Sequence, residues 1–230
     1  MTVLSRHNYQ HCPKKHATRI RTLKAATQCP ALWNRQDVGP AHPYGRLGVS
    51  WLEITGEGDP TFQLLLRAAI LGAPYIGVNG PFPPATPARA RRLLQLNRTL
   101  FKQETEQGLC EWHYGLLQHV LSRNPDTYSN VGVIVADTSE TLASPDTIHT
   151  LADIFSFARR QAKILGQCLL MINTSSRGVT GQRLKKRQRE WLREVGDACG
   201  VGPIPKEFSG EYRNKGSKVS MFPVWVLVKG

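Results

Sequence analysis

Residues 131–136 (VGVIVA) and 168–172 (CLLMI) are uninterrupted apolar runs of strand length. Such runs mark strands covered on both faces, as in a parallel sheet. Between them Ile148, Leu151, Phe155, Ala158, Ala162 and Leu165 recur at the helical period. Ser144, Pro145 and Asp146 supply an N-cap, a first-turn proline and an acid that complements the helix dipole. Gly166 supplies a stop. Strand, helix and strand of these lengths predict a right-handed βαβ unit with parallel strands.

The same reading extends along the chain. Residues 48–54 have the composition of a first strand, followed by a GEGDP turn with Asp59 as N-cap and Pro60 at the first helical position. A buried helix is expected over 60–72 and a short strand over 74–78, then a proline-rich loop. One long helix is expected over 86–107, with Leu93, Leu96 and Leu100 as its inner stripe. Residues 109–121, with Trp112, His113 and His119 among leucines, read as a core helix or strand. The helix over 182–199 buries Leu184, Trp191, Leu192, Val195 and Cys199. Residues 221–228 form a last strand, placed at an edge or a bulge by Pro223. The fold class is α/β: a mixed, largely parallel sheet flanked by helices, with a basic N-terminal arm. Residues 1–45 are expected to be that arm or extension, and 46–230 a single α/β domain.

Charge changes the picture. The formal net charge is +13 and the pI near 9.9. Residues 1–24 carry six basic side chains and no acid, residues 25–173 are neutral, and 174–218 carry 11 basic against 5 acidic side chains. An excess confined to the two ends points to a polyanionic partner, nucleic acid first. The five cysteines are scattered with no C-x-x-C, which fits reduced thiols. No apolar leader opens the sequence and no apolar run approaches the roughly 20 residues of a membrane span. A cytoplasmic location without membrane association is therefore expected. His7, His11, Cys12 and His16 lie close together, but Pro13 interrupts them and no standard metal spacing is matched.

Parallel strands bring Asp137, Thr138, Ser139 and Glu140 to the same sheet edge as Asn173, Thr174, Ser175, Ser176 and Arg177. A loop of this kind before a helix suits an anion, with Ser175, Ser176 and Arg177 as contacts. The helix after it carries Arg183, Lys185, Lys186, Arg189 and Arg193 opposite its apolar stripe. Further on, Phe208 and Tyr212 interleave with Arg213, Lys215 and Lys218, the combination of stacking and phosphate contact used for single strands. Lys14, Lys15, Arg19 and Arg21 extend the phosphate-contact set at the N-terminal end.

These features lead to a nucleic-acid-binding protein, regulatory or processing, with no cofactor and no enzymatic activity. A metal-dependent nuclease is the first alternative, with Asp137 and Glu140 holding Mg²⁺ and a further carboxylate from Glu53 or Asp59. An interaction or inhibitor protein docking an acidic protein partner is the second. No Walker A loop, nucleophile elbow or dinucleotide fingerprint is present.

Over residues 75–172 the segments YIGVNGP, LNRTLFKQE, GVIVADTSE and ILGQCLLMI resemble a bacterial family known only as a domain of unknown function. That family has Asn-Pro after its strand, where this chain has Asn79-Gly80-Pro81. The resemblance implies a small α/β domain and brings no activity with it.

Overall fold

The computed structural model describes residues 13–34, 45–55, 58–80, 87–123, 128–137, 145–175, 182–198, 201–203, 212–213 and 220–230. The chain begins with α1 (Pro13–Thr27), a short 3-10 turn (Pro30–Leu32) and an antiparallel pair, β1 (Trp33–Asn34) and β2 (Arg46–Leu47). The main sheet then starts with β3 (Ser50–Ile54), α2 (Pro60–Arg67) and β4 (Tyr75–Asn79). Next come α3 (Pro87–Leu100), α4 (Lys102–Glu106), β5 (Cys110–Tyr114) and α5 (Leu117–Arg123). The βαβ unit follows as β6 (Val131–Asp137), α6 (Pro145–Leu165) and β7 (Gln167–Ser175). Finally α7 (Gln182–Ala198), β8 (Val201–Pro203), β9 (Tyr212–Arg213) and β10 (Ser220–Lys229) close the fold.

The strands run in the order β5-β4-β3-β6-β7-β10-β8, with β9 also pairing β10. β5, β4, β3, β6 and β7 are parallel. β10 is antiparallel to β7, β8 and β9. This is the expected mixed, largely parallel sheet flanked by helices. From β3 the chain steps outward to β4 and β5, then returns to the other side of β3 as β6. The order therefore reverses between β3 and β6.

Alternation along each strand divides the core in two. Leu52, Ile76, Ile134, Leu170 and Val226 face α5, α6 and α7. Trp51, Tyr75, Val133, Leu169 and Trp225 face α1, α2 and α3. α6 buries Leu151, Phe155, Ala158 and Ala162 as its periodicity predicts, and Gly166 ends it at φ +81°.

Several elements differ from expectation for physical reasons. The 60–72 helix stops at Arg67. The 86–107 helix breaks at Phe101, whose ψ of 38° leaves helical geometry and drops its ring among Phe62 and Trp112. The inner stripe of α3 is Ala90, Leu94 and Asn97, while Leu100 is 56% exposed. Residues 109–121 divide into a strand and a helix. Pro223 lies within β10, paired throughout with β7. On the other side of β10, β9 pairs at 220–221 and β8 at 226–228, so Pro223 falls between the two segments.

The N-terminal region does not stand off as a basic arm over its described residues. Ala25, Ala26, Cys29, Leu32 and Trp33 are core residues, and Trp225 Nε1 of β10 donates to Thr22 Oγ1 of α1 at 2.9 Å. Cys29, Cys110 and Cys168 are free and buried. No described helix is long and apolar enough to cross a membrane.

Candidate active site at the carboxyl edge of the sheet

Ligands of open α/β sheets bind beyond the carboxyl ends of the strands, where the strand order reverses. Here that point lies between Ile54 of β3 and Asp137 of β6. Asp137 is level with Asn173 of β7, whose Nδ2 donates to Asp137 Oδ1 at 2.9 Å. The shared edge read from the sequence is thus present. Its second half is strand and not loop, since β7 runs to Ser175 and buries Asn173, Thr174 and Ser175 to 1% exposure or less.

Beneath that edge, on the α1 side, lies a buried polar cluster. Arg19 Nε of α1 donates to Thr61 Oγ1 at 3.0 Å, and Thr61 Oγ1 donates to Glu53 Oε1 at 2.9 Å. Trp51 Nε1 donates to the other Glu53 oxygen at 3.1 Å. Arg19, Glu53, Asp137 and Asn173 line one small cavity. Arg19 is only 8% exposed, which corrects its expected role as a phosphate contact: its guanidinium serves the interior.

Asp59 organises the turn after β3. Its Oδ1 accepts the Phe62 N–H at 3.0 Å, and its Oδ2 accepts from Tyr75 OH at 2.7 Å and from Thr55 Oγ1. Its φ of 22° is a backbone conformation that side chains rarely adopt. Asn97 of α3 binds both sides of the turn: its Nδ2 donates to Thr55 Oγ1 at 3.2 Å, and its Oδ1 accepts the Gly58 N–H at 2.9 Å. Asn79, the last residue of β4, donates to Thr55 O at 2.6 Å. Burial raises the Glu53 carboxyl to about 8, with the charge of Asp59 adding to the shift and Arg19, Trp51 and Thr61 opposing it. Burial also raises Asp59, against the hydrogen bonds from Phe62, Thr55 and Tyr75. Both carboxyls are thus raised by burial, and Arg19 favours the charged form of each.

This cluster decides which ligands suit the edge. Phosphate binding at a helix start uses free backbone N–H groups. α2 begins with Pro60, which has none, and the Phe62 and Gln63 N–H groups both go to Asp59. The helix start is therefore closed to a pyrophosphate. What remains is amide and carboxyl chemistry from Asn79, Asp137 and Asn173, a donor and acceptor set that fits an uncharged nucleoside or a cation.

No family model matches the chain, and no curated protein does. Among solved structures it is similar to a putative O-methyltransferase from Klebsiella pneumoniae, with a TM-score of 0.51 at 13% identity over 93% of this chain and 90% of that one. The two chains share a fold. The chain is also similar to an O-methyltransferase from Bacillus cereus in complex with SAH (TM-score 0.48, 11% identity, 93% of this chain and 91% of that one). It spans 50% of the N,N-8-amino-8-demethyl-D-riboflavin dimethyltransferase from Streptomyces davawensis, at a TM-score of 0.47 and 12% identity over 79% of this chain.

The likeness in fold to the putative O-methyltransferase runs against the expectation of a non-enzymatic nucleic-acid-binding protein, and with it against the nuclease and inhibitor alternatives. Net charge reports on a surface and its partners and is silent on what the sheet edge holds. The absence of a cofactor is corrected as well, because a phosphate-free cofactor needs neither a Walker A loop nor a dinucleotide fingerprint. Asp137, offered as a Mg²⁺ ligand, is bonded to an amide, and among the described residues no three His, Cys, Asp or Glu gather as a metal site.

Of the remaining site residues, Lys186, Arg189 and Arg193 are exposed on α7, and Lys14 and Arg21 on α1. Lys15 lies on α1, Arg183 and Lys185 lie on α7, and Tyr212 and Arg213 form β9. Glu140, Ser176, Arg177, Phe208, Lys215 and Lys218 lie outside the described residues. Sequence reasoning missed Asn97, Asn79 and Tyr75. The available signal for Asn97 was an amide spaced three residues from Leu94, in line with the buried face of a helix.

Proposed function

We propose that this chain is a methyltransferase using S-adenosylmethionine, with a nucleic acid as methyl acceptor. The closed start of α2 carries the reading. A sheet edge with amides and carboxyls at its reversal point, and an α2 start that offers no phosphate grip, suits a cationic nucleoside and disfavours a dinucleotide. Asn79 at the end of β4, Thr55 and Gly58 after β3, and the Asp137–Asn173 pair are the groups that would hold it. When bound, that cofactor supplies an electrophilic methyl group. The chain's own part is to exclude water, orient the acceptor and take up a proton, and the Asp137 carboxylate is the group for that proton. The net charge of +13 supports a polyanionic acceptor.

Calorimetric titration with SAH tests the cofactor, with NAD as the comparison ligand. Saturable SAH binding is expected, weakened at least tenfold in Asn79→Ala, with no binding of NAD. Transfer of labelled methyl groups to RNA or DNA tests the acceptor. No SAH binding would sink the proposal, and transfer to neither nucleic acid would remove the acceptor class alone.

A further inference from the structure

The first turns of α3 bear Arg89, Arg91 and Arg92, all exposed, and α3 carries no acidic residue. A charge cluster on a helix is ordinarily only a solvated face, so its position matters. α3 follows β4 and packs along β5 at the end of the sheet. The Arg91 guanidinium lies 5.0 Å from the ring centroid of Tyr114, the last residue of β5. This contact fixes the arginines at the carboxyl edge, on the rim of the candidate active site. Gly80 and Gly115 bring the exits of β4 and β5 together there, since a Cβ on Gly80 would lie 2.4 Å from Gly115 O. Further down the same helix Arg98 Nη2 donates to Trp112 O of β5 at 2.6 Å.

The shape of this surface selects among polyanions. Arg91 and Arg98 are folded onto the strand and do not project outward to reach base edges in a duplex groove. Arg91 over Tyr114 makes a flat guanidinium–aromatic platform, the kind on which unstacked bases pile. Arg89 and Arg92, one turn apart, add positive charge beside it. Across the sheet α7 also starts at this edge, with exposed Lys186 and Arg189. The sheet edge from β5 to β7 spans four strand spacings, roughly 19 Å at about 4.8 Å each, with α3 on one face and α7 on the other. An extended strand crossing that distance passes over Asn79 and Asp137.

We infer that the rim formed by Arg89, Arg91, Arg92 and Tyr114 is the seat of a single-stranded RNA segment that leads the acceptor base into the site. RNA is favoured over DNA because its loops present unstacked bases, whereas DNA is ordinarily duplex. The inference rests on the methyltransferase reading only for the word acceptor; the seat itself is tested by binding.

The experiment is fluorescence anisotropy with a labelled single-stranded RNA of about 15 nucleotides, across a salt series, on the full chain. Charge reversal at the three arginines (R89E, R91E and R92E together) is expected to weaken binding at least tenfold. The log–log salt slope should fall by about 1.4, as the lost phosphate contacts of Arg89 and Arg92 require. Y114L should weaken binding several-fold with the salt slope unchanged. R91Q with R92Q guards against misfolding of the reversed variant and should lose several-fold. Lys102→Glu, on α4 beyond the far end of α3, should change little. Unchanged RNA affinity in the arginine variants overturns the inference, and so does equal affinity for a duplex DNA of the same sequence. SAH binding measured on the same variants should stay at the wild-type level. If the wild type binds RNA through these arginines but never binds SAH, the methyltransferase reading fails and the seat stands.

Discussion

Asn97 Oδ1 accepts the Gly58 N–H at 2.9 Å, tying the middle of α3 to the turn after β3 across 39 residues of sequence. Through its Nδ2 the same side chain holds Thr55 Oγ1, so one fully buried amide sets both flanks of the turn that faces the site. Asn97→Ala is expected to cost about 1–3 kcal/mol, because one buried and one part-buried hydrogen bond are lost and the Gly58 N–H is left without this partner. Urea denaturation measures the cost. SAH affinity should fall several-fold in the same variant, and an unchanged affinity would show that the turn keeps its form without Asn97.

Glu53 makes stability depend on pH. Its carboxyl ordinarily titrates near 4.5 and is raised to about 8 in the fold. The folded chain therefore holds a proton that the unfolded chain releases, a contribution fully present below about 4.5 and lost as pH rises through about 8. Between those values stability should fall with rising pH, by at most about 1.4 kcal/mol per pH unit from this group. Glu53→Gln should flatten the slope. Parallel pH profiles for wild type and variant would place the proton elsewhere.

Gly77 of β4 has no room for a side chain. A Cβ there would lie 2.5 Å from the Trp112 ring, which stacks on Phe101 at 5.7 Å and meets Phe62 edge-on at 5.8 Å. Gly77→Ala should cost about 1–3 kcal/mol through overpacking. Trp112→Leu in the same chain should recover part of that loss, a coupling that thermal denaturation of the four-member cycle will read. Strict additivity would mean that the ring is not the obstacle.

Arg98 covers an outward carbonyl of β5, the strand at one end of the sheet. Arg98→Ala should change the denaturation midpoint little, since one part-buried hydrogen bond contributes about 1 kcal/mol. Exposed strand edges invite pairing between molecules. Light scattering at increasing protein concentration should therefore rise in the variant before it does in wild type.

How far the sequence carried depended on whether a feature was set locally. β6, α6 and β7 follow from apolar runs, the Ser144–Asp146 helix start and Gly166, all signals within a few residues of their effect. Asp59 was legible as an N-cap for the same reason. Asn173, Thr174 and Ser175 look like loop because they are polar, yet β10 lies antiparallel along them and draws them into the sheet. Arg19 looks like surface charge because Thr61, its partner, is 42 residues away, and Glu53 lies beyond it. A charge count cannot show which cations are turned inward. The leucines of α3 misled in a different way: Leu93, Leu96 and Leu100 form a regular stripe, but the buried face is one position over, where Ala90, Leu94 and Asn97 meet the sheet.

The antiparallel strand β10 lies between β7 and β8, and among the described residues β8 pairs with no other strand. Val201–Pro203 thus has no partner until residues 226–228 have been made. Domains emerging from the ribosome fold from the amino end onward, and pairings between distant segments form slowly. The parallel half from β3 to β7, which together with Arg19 of the preceding α1 contains the polar cluster, is complete in sequence some forty residues before β10 arrives. The order of synthesis therefore lets the candidate site assemble first and leaves the segment bearing basic α7 to be locked down last.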